Sequence, residues 1–102
     1  FTFSLTFLLG MFVTALYAQT HTVSGTVIDK DANEPLIGAN VLIKGTTIGT
    51  VTDLDGKYTL QAGDKDILVF SYLSMKTIEE PVNGRTVINV KMTSDTETLV
   101  KS

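Results

Sequence analysis

Residues 19–102 are rich in side chains that branch at Cβ, and this feature constrains the fold more than any other. Valine, isoleucine and threonine together occupy 29 of these 84 positions. Such side chains lose rotamer freedom in a helix and pack well on the pleated surface of a sheet. No stretch of helical length shows apolar residues at the spacing i, i+3, i+4, i+7. The sequence therefore predicts an all-β fold.

Apolar and polar residues alternate in several short runs, which places one set of side chains on each face of a strand. The run Ile67-Leu68-Val69-Phe70 is apolar throughout, so we expect it to be a central strand covered on both faces. The sets expected to share one face are Val23 with Gly25 and Val27; Ile37 with Ala39, Val41 and Ile43; Tyr58 with Leu60; and Thr86 with Ile88, Val90 and Met92. The predicted core contains Val27, Val41, Ile43, Tyr58, Leu60, Leu68, Phe70, Ile88 and Val90.

Turn-forming residues separate these runs and define seven predicted strands. The polar loop 29–35 ends in proline, and Asn83-Gly84 is the strongest hairpin signal because both residues tolerate positive φ. The strands are expected near 21–28, 36–44, 48–53, 57–62, 67–73, 75–80 and 85–92. Seven short strands separated by turns predict an antiparallel two-sheet β-sandwich over residues 19–92, followed by a flexible tail over residues 93–102.

The first eighteen residues differ from the rest of the chain. Thirteen of them are apolar and none is charged, and the segment ends in small residues before Gln19. This pattern is typical of a secretory signal peptide, here with cleavage after Ala18. The segment begins with Phe1 and has no basic residues, so we expect a few residues to precede it in the complete protein. An uncleaved membrane anchor is the alternative, since about 18 apolar residues lie at the short limit for spanning a bilayer. Both interpretations predict an exported chain.

The composition leaves little material for catalysis. The chain has no cysteine and no tryptophan, a single histidine and a formal net charge of −3. The absence of cysteine excludes disulfides, thiolate metal sites and cysteine nucleophiles. Scattered acidic residues disfavour binding to nucleic acid or to an anionic membrane. We therefore expect a protein that is not an enzyme, has no cofactor and does not bind nucleic acid.

Asp53-Leu54-Asp55-Gly56 is the one candidate for a metal site. Two carboxylates two residues apart before a glycine resemble the start of a calcium loop, which also needs further oxygen ligands. Counting from Asp53, the twelfth residue is Asp64, which lies beyond a predicted strand. The alternative is a hairpin turn in which aspartate accepts backbone N–H groups and Gly56 takes positive φ. We expect the turn, with calcium as the weaker alternative.

Other polar motifs fit structural roles better than chemical ones. His21 is expected to be a surface residue, and Glu79-Glu80 lacks the apolar surroundings of a general acid–base pair. The segment 45–50 is rich in glycine and threonine but lacks the Gly-Lys-Ser/Thr ending of a phosphate-binding loop. Tyr72 could face a ligand, although packing against the sheet is the simpler interpretation.

The motifs taken in order resemble the carboxypeptidase-regulatory-like domain over about residues 21–92. The segments that carry the resemblance are Val23-x-Gly25-x-Val27-x-Asp29, Glu34-Pro35-Leu36-Ile37-Gly38-Ala39-Asn40-Val41, Lys44-Gly45-Thr46-Thr47-x-Gly49-Thr50-x-Thr52-Asp53-x-Asp55-Gly56-x-Tyr58, and Leu68-x-Phe70-Ser71-Tyr72. The sequence is especially similar to the version that follows the signal peptide in SusC/RagA-type TonB-linked outer-membrane transporters of Bacteroidetes.

The resemblance implies a transthyretin-like (prealbumin-like) seven-stranded sandwich without catalytic residues. It implies a periplasmic accessory domain of an importer of glycans or other nutrients, located at the outer membrane. The partners implied are the plug and barrel of the parent transporter, a TonB-type energy-coupling protein and a SusD-like surface lipoprotein. The residues implied to shape the fold are Gly25, Pro35, Gly38, Gly45, Gly49, Asp53, Asp55, Gly56, Tyr58, Phe70 and Tyr72.

Two features depart from the pattern of that family. Ser74-Met75 stands where family members usually carry a Gly-Tyr or Gly-Phe pair, so we expect a looser corner there. No strands remain after Ser102 to build a plug and a barrel, so we expect the chain to be a fragment of a transporter. The alternative is a stand-alone secreted sandwich that binds carbohydrate or protein.

Overall fold

The computed structural model describes residues 19–95, which form an all-β fold with no helix. A two-residue strand at Glu34–Pro35, inside the loop expected at 29–35, brings the number of strands to eight where the sequence predicts seven. The strands are β1 (Thr20–Asp29), β2 (Glu34–Pro35), β3 (Asn40–Ile43), β4 (Gly49–Val51), β5 (Lys57–Gly63), β6 (Ile67–Ser71), β7 (Ile78–Pro81) and β8 (Val90–Met92).

These strands form two four-stranded sheets. In the first sheet, β1 pairs antiparallel with β5 and, near its end, with β2, while β8 lies parallel to β1 on the other side. In the second sheet the order is β4-β3-β6-β7, and every pair is antiparallel. The predicted β-sandwich is confirmed, with one parallel strand pair that the sequence does not predict.

The core lies between the inner faces of the two sheets, and every residue of the predicted core is buried. The rings of Tyr58 on β5 and Phe70 on β6 meet edge to face, with centroids 5.5 Å apart. This contact joins the two sheets, because β5 belongs to the first and β6 to the second. The full set of buried apolar residues is Val23, Val27, Leu36, Ala39, Val41, Ile43, Tyr58, Leu60, Ala62, Leu68, Phe70, Val82, Ile88, Val90 and Met92.

Ile37 departs from the alternation that the sequence predicts. The pattern places it on the core face with Ala39 and Val41, yet 52% of Ile37 is exposed. Gly38 has φ +79°, a left-handed conformation that ends the extended run before β3 begins at Asn40. Side-chain alternation holds only while the backbone stays extended. The predicted strand 36–44 is therefore wrong in its first half.

Asn83 and Gly84 form a turn, but this turn does not join a hairpin. Their φ values are +49° and +75°, as expected for this dipeptide. The strands on either side nevertheless lie in different sheets, because β7 pairs with β6 whereas β8 pairs with β1. The predicted hairpin between residues 75–80 and 85–92 is wrong, and the chain crosses here from one sheet to the other.

β6 is central in its sheet, as predicted, since it lies between β3 and β7. Leu68 and Phe70 point into the core and are fully buried. Ile67 and Val69 point away from it and are only half-buried. The second layer of cover expected over this strand is absent from the part of the chain that the structure describes.

The two ends of the described chain lie at opposite ends of the sandwich. Thr20 begins β1 beside Gly63, whereas Asp29 at the other end of β1 pairs with Met92 of β8. After Met92 the backbone continues to hydrogen bond, since Lys76 donates to Thr93 O and Asp95 donates to Ser74 O, both at 2.9 Å. Contacts with the fold thus extend three residues beyond the boundary expected at Met92.

Two expectations concern residues outside the described range. The signal peptide predicted over residues 1–18 and the greater part of the predicted tail, residues 96–102, both lie there. Within residues 19–95, no helix has the length and apolar character needed to cross a membrane.

Candidate functional site

The turn between β4 and β5 is organised around the carboxylate of Asp53. Its Oδ1 accepts the backbone N–H groups of Asp55 and Lys57, each at 2.9 Å. The N–H of Lys57, followed by that of Asp55, lowers the pKa of Asp53 because both bonds favour the charged form. Gly56 closes the turn by donating to Asp53 O at 3.0 Å. These contacts are the ones expected if residues 53–56 form a hairpin turn in which the aspartate accepts backbone N–H groups.

Gly56 has φ +74°, so its predicted positive φ is confirmed. A Cβ on Gly56 would lie 2.7 Å from Val27 O and 2.8 Å from the Cβ of Pro35. The carbonyl of Gly56 accepts the N–H of Val27 at 2.8 Å, which ties the turn to β1. Pro35 and Gly56, both expected to shape the fold, are therefore brought into contact at this end of the sandwich.

The same turn contains the weak calcium candidate. Asp55 is exposed, and its N–H is already bonded to Asp53. Among residues 19–95 no group of three or more His, Cys, Asp or Glu side chains is placed to hold a metal ion. The turn remains the prediction for Asp53 and Asp55, and calcium binding remains its weaker alternative.

Gly25 and Tyr58 face each other across the β1–β5 pair. The hydroxyl of Tyr58 donates to Ile88 O at 2.7 Å, inside the core. A Cβ on Gly25 would lie 1.9 Å from that same carbonyl oxygen and 3.0 Å from Cε1 of Tyr58. Burial raises the pKa of Tyr58 to about 12, because the buried ring disfavours the phenolate. The pair fixes the 86–89 segment against β1.

The remaining residues expected to shape the fold have separate structural roles. Gly45 has φ +80° in the turn between β3 and β4. A Cβ on Gly49 would lie 2.5 Å from Val41 O, so this glycine permits close approach of β4 to β3. Phe70 fills the core, and Tyr72 is half-buried against it, as the packing interpretation expects.

Thr52 is a buried polar residue that the sequence analysis did not single out. Its Oγ1 donates to Leu36 O and accepts the N–H of Ala39, the latter at 2.9 Å. These two hydrogen bonds satisfy backbone groups on either side of Gly38 that lie outside the regular strand pairing. The signal in the sequence is a threonine directly before Asp53, within the motif segment that ends at Tyr58.

His21 lies at the end of the sandwich opposite the Asp53 turn. Its side chain is 28% exposed, less than the surface position expected for it. Nε2 lies 2.9 Å from Arg85 O, and Nδ1 lies 3.5 Å from Oδ1 of Asp64. The ring thereby joins three chain segments, those that carry His21, Asp64 and Arg85.

Glu79 and Glu80 are separated by their ion pairs. Glu79 binds Nζ of Lys44 at 3.0 Å, and Glu80 binds the guanidinium of Arg85 at 3.1 Å. Each carboxylate has its own cationic partner. They do not form the coupled carboxylate pair that acid–base catalysis would need, which agrees with the interpretation of these residues from sequence.

The fold and its turns point to the class of this protein. The sequence profile of the CarboxypepD_reg-like domain family matches residues 23–101. The chain therefore belongs to this family of domains, and the family predicted from the motifs is confirmed.

The curated relatives of this chain are receptors of one kind. TonB-dependent receptor SusC from Bacteroides thetaiotaomicron is 47% identical over 83 residues, which cover 81% of this chain and 8% of that protein. TonB-dependent receptors P26 and P39 from Formosa agariphila are 44% and 42% identical over 81 and 89 residues, covering 79% and 85% of this chain and 8% of each receptor. The chain thus spans about a twelfth of the length of the curated relatives it matches.

Proposed function

We propose that this chain is a non-catalytic accessory domain of a TonB-dependent outer-membrane receptor. The observation that carries the proposal is the match to such receptors, which reaches 47% identity and 81% of this chain. The structure adds support, because several of the sequence-predicted motif residues, among them Gly25, Asp53, Gly56 and Tyr58, have contacts or backbone conformations that explain them structurally. None of these contacts places a nucleophile beside a base.

The domain acts on the periplasmic side of the outer membrane, and the parent receptor imports glycans or other nutrients. The exported chain predicted from residues 1–18 supports this location. The positions of Thr20 and Asp95 at opposite ends of the sandwich suit a domain placed in line between an amino-terminal segment and a larger body. A stand-alone secreted module that binds carbohydrate or protein is the competing function.

Location and attachment are tested in the native host with an epitope inserted in the exposed loop 30–33. We expect the epitope to sit on a chain many times longer than 102 residues and to fractionate with the outer membrane. Protease added to intact cells should leave it uncut, and permeabilised cells should lose it. An epitope released into the medium, or on a chain of this length alone, would show the stand-alone module instead.

The nutrient is tested by deletion of the whole gene and, separately, of the codons for residues 23–95. Growth on single purified polysaccharides identifies the substrate as the one whose use the gene deletion abolishes. The smaller deletion then shows what the domain adds once the barrel is verified at normal levels in the outer membrane. Normal growth of the gene deletion on every glycan tried would contradict a glycan substrate.

A further inference from the structure

Several exposed apolar side chains lie at one end of the sandwich. The register places the start of β3, the end of β4 and the end of β6 together, since Asn40 pairs with both Val51 and Ser71. The segments that continue these strands therefore share that end. They carry Ile37 before β3, Leu54 after β4 and Leu73 after β6.

The exposure of these side chains is high for their size. Val51 is 56% exposed, Leu54 78% and Leu73 88%, in addition to the 52% of Ile37. We call Ile37, Val51, Leu54 and Leu73 the exit-end residues. Leu54 and Leu73 lie mostly outside the core, and exposed apolar side chains gathered at one end of a domain are a candidate interaction surface.

Exposed carboxylates lie at the same end. Asp31 and Glu34 occupy the loop and short strand after β1, and Asp55 follows Leu54, while the exposed Lys30 and Lys57 lie among them. The carboxylates of Asp29 and Asp53 are used within their own turns, where each accepts backbone N–H groups. An apolar centre with a polar rim is a composition found at protein–protein interfaces.

The described chain leaves the fold at this end as well. Ser94 pairs with Met75, and Asp95 donates to Ser74 O, immediately beside Leu73. Any domain that follows in the chain is therefore tethered next to the exit-end residues, at a high effective concentration. In the receptor relatives, about nine-tenths of the protein lies outside the matched region.

We propose that the exit-end residues dock this domain onto an apolar surface of the domain that follows it in the parent receptor. The proposal rests on the proposed function, because it needs a parent receptor. Under this proposal the domain is held in a fixed position on the receptor and does not move independently on a linker.

The test uses the full-length receptor, purified in detergent, with a protease site inserted after Asp95. After cleavage, size-exclusion chromatography shows whether the domain remains bound to the rest of the receptor. The variants are Leu73→Asp and Leu54→Asp, and the matched control is Ile48→Asp. Ile48 is 57% exposed but lies in the β3–β4 turn at the opposite end. Thermal melting of the released fragments verifies that each variant keeps its fold.

We expect the cleaved wild-type domain and the Ile48→Asp variant to co-elute with the receptor. Leu73→Asp and Leu54→Asp should each weaken this association by about ten- to a hundredfold, the equivalent of losing one buried leucine. Separation of the wild-type domain on cleavage, or equal release by Ile48→Asp, would overturn the docking proposal and leave the proposed function standing. Absence of any receptor body on the chain would instead refute the proposed function.

Discussion

Gly25 lies directly opposite Tyr58, and the missing side chain of Gly25 opens the space in which the Tyr58 hydroxyl reaches Ile88 O. The two residues hold the 86–89 segment in place together. The glycine lets the 86–89 segment approach β1, and the tyrosine secures that segment from the core side. This gives a structural reason for two motif residues that lie 33 positions apart in sequence.

Gly25→Ala is expected to destabilise the domain by about 1–3 kcal/mol, the usual cost of overpacking a core. The added Cβ would sit 1.9 Å from Ile88 O, which is backbone and cannot rotate away. Urea denaturation followed by circular dichroism measures the loss. Gly63→Ala is the control, because its Cβ would find only ordinary contacts at 3.4 Å and beyond, without a positive φ. Equal stability of the two variants would refute the close-approach role of Gly25.

Tyr58→Phe is expected to lower the free energy of unfolding by about 1–3 kcal/mol, since it leaves the buried Ile88 O without its donor. Tyr72→Phe, at a half-buried position, is the control and should change stability less.

The stability contributed by Tyr58 is expected to depend on pH in the alkaline range. Its pKa is about 12 when folded and 10.0 ordinarily, so the contribution is complete below pH 10 and is lost as the pH rises toward 12. A two-unit shift corresponds to about 3 kcal/mol. The difference in stability between wild type and Tyr58→Phe should shrink over this window, because only the wild type loses the contribution of Tyr58. The lysines that titrate in the same range are common to both proteins, so their effect cancels in the difference. A difference that stays constant to pH 12 would contradict the burial of the hydroxyl.

Much of this fold follows from local chemistry. The core positions were predictable because side chains alternate wherever the backbone stays extended, as along β5 and β6. Gly56 was predictable because the turn Asp53–Gly56 lies within one short segment. The exposure of Ile37 was not predictable, because it depends on the conformation of Gly38. Glycine adopts positive and negative φ about equally readily, so the sequence does not show which one occurs.

Long-range pairing was the part that the sequence could not supply. The parallel pairing of β8 with β1 brings together Val27 and Val90, and nothing local to either strand encodes it. Thr52 was missed for the same reason. Its structural role is to hydrogen bond with Leu36 O and Ala39 N, and only folding brings these groups close to its hydroxyl.

The Asp53 turn is expected to be independent of calcium. Asp53→Ala should destabilise the domain, because the N–H groups of Asp55 and Lys57 lose their acceptor, while Asp53→Asn should cost less because an amide oxygen can accept both. Gly56→Ala should cost about 1–3 kcal/mol through its left-handed φ and the contact with Val27 O.

Thermal melting with and without millimolar calcium measures the metal's effect. A melting temperature that rises with calcium in wild type but not in Asp53→Asn would establish the metal site.

Ser74→Gly is expected to stabilise the domain, since Ser74 holds φ +65° where the family usually has glycine. A left-handed conformation costs an L-residue about 1–2 kcal/mol, and the greater chain entropy of unfolded glycine offsets part of that. We expect a net gain of about 0.5–1 kcal/mol in the free energy of unfolding by urea denaturation. The backbone contact of Ser74 O with Asp95 does not depend on the side chain and should persist.

Ser71→Gly provides the control for this last variant, because Ser71 ends β6 in an extended conformation. There the same change should destabilise by about 0.5–1 kcal/mol, since glycine weakens a strand without relieving any strain. Opposite signs at two serines three residues apart isolate the effect of backbone conformation from that of losing a hydroxymethyl group. If both variants were destabilised alike, the corner at Ser74 would carry no strain, and the serine found in place of the family's glycine would need no compensation.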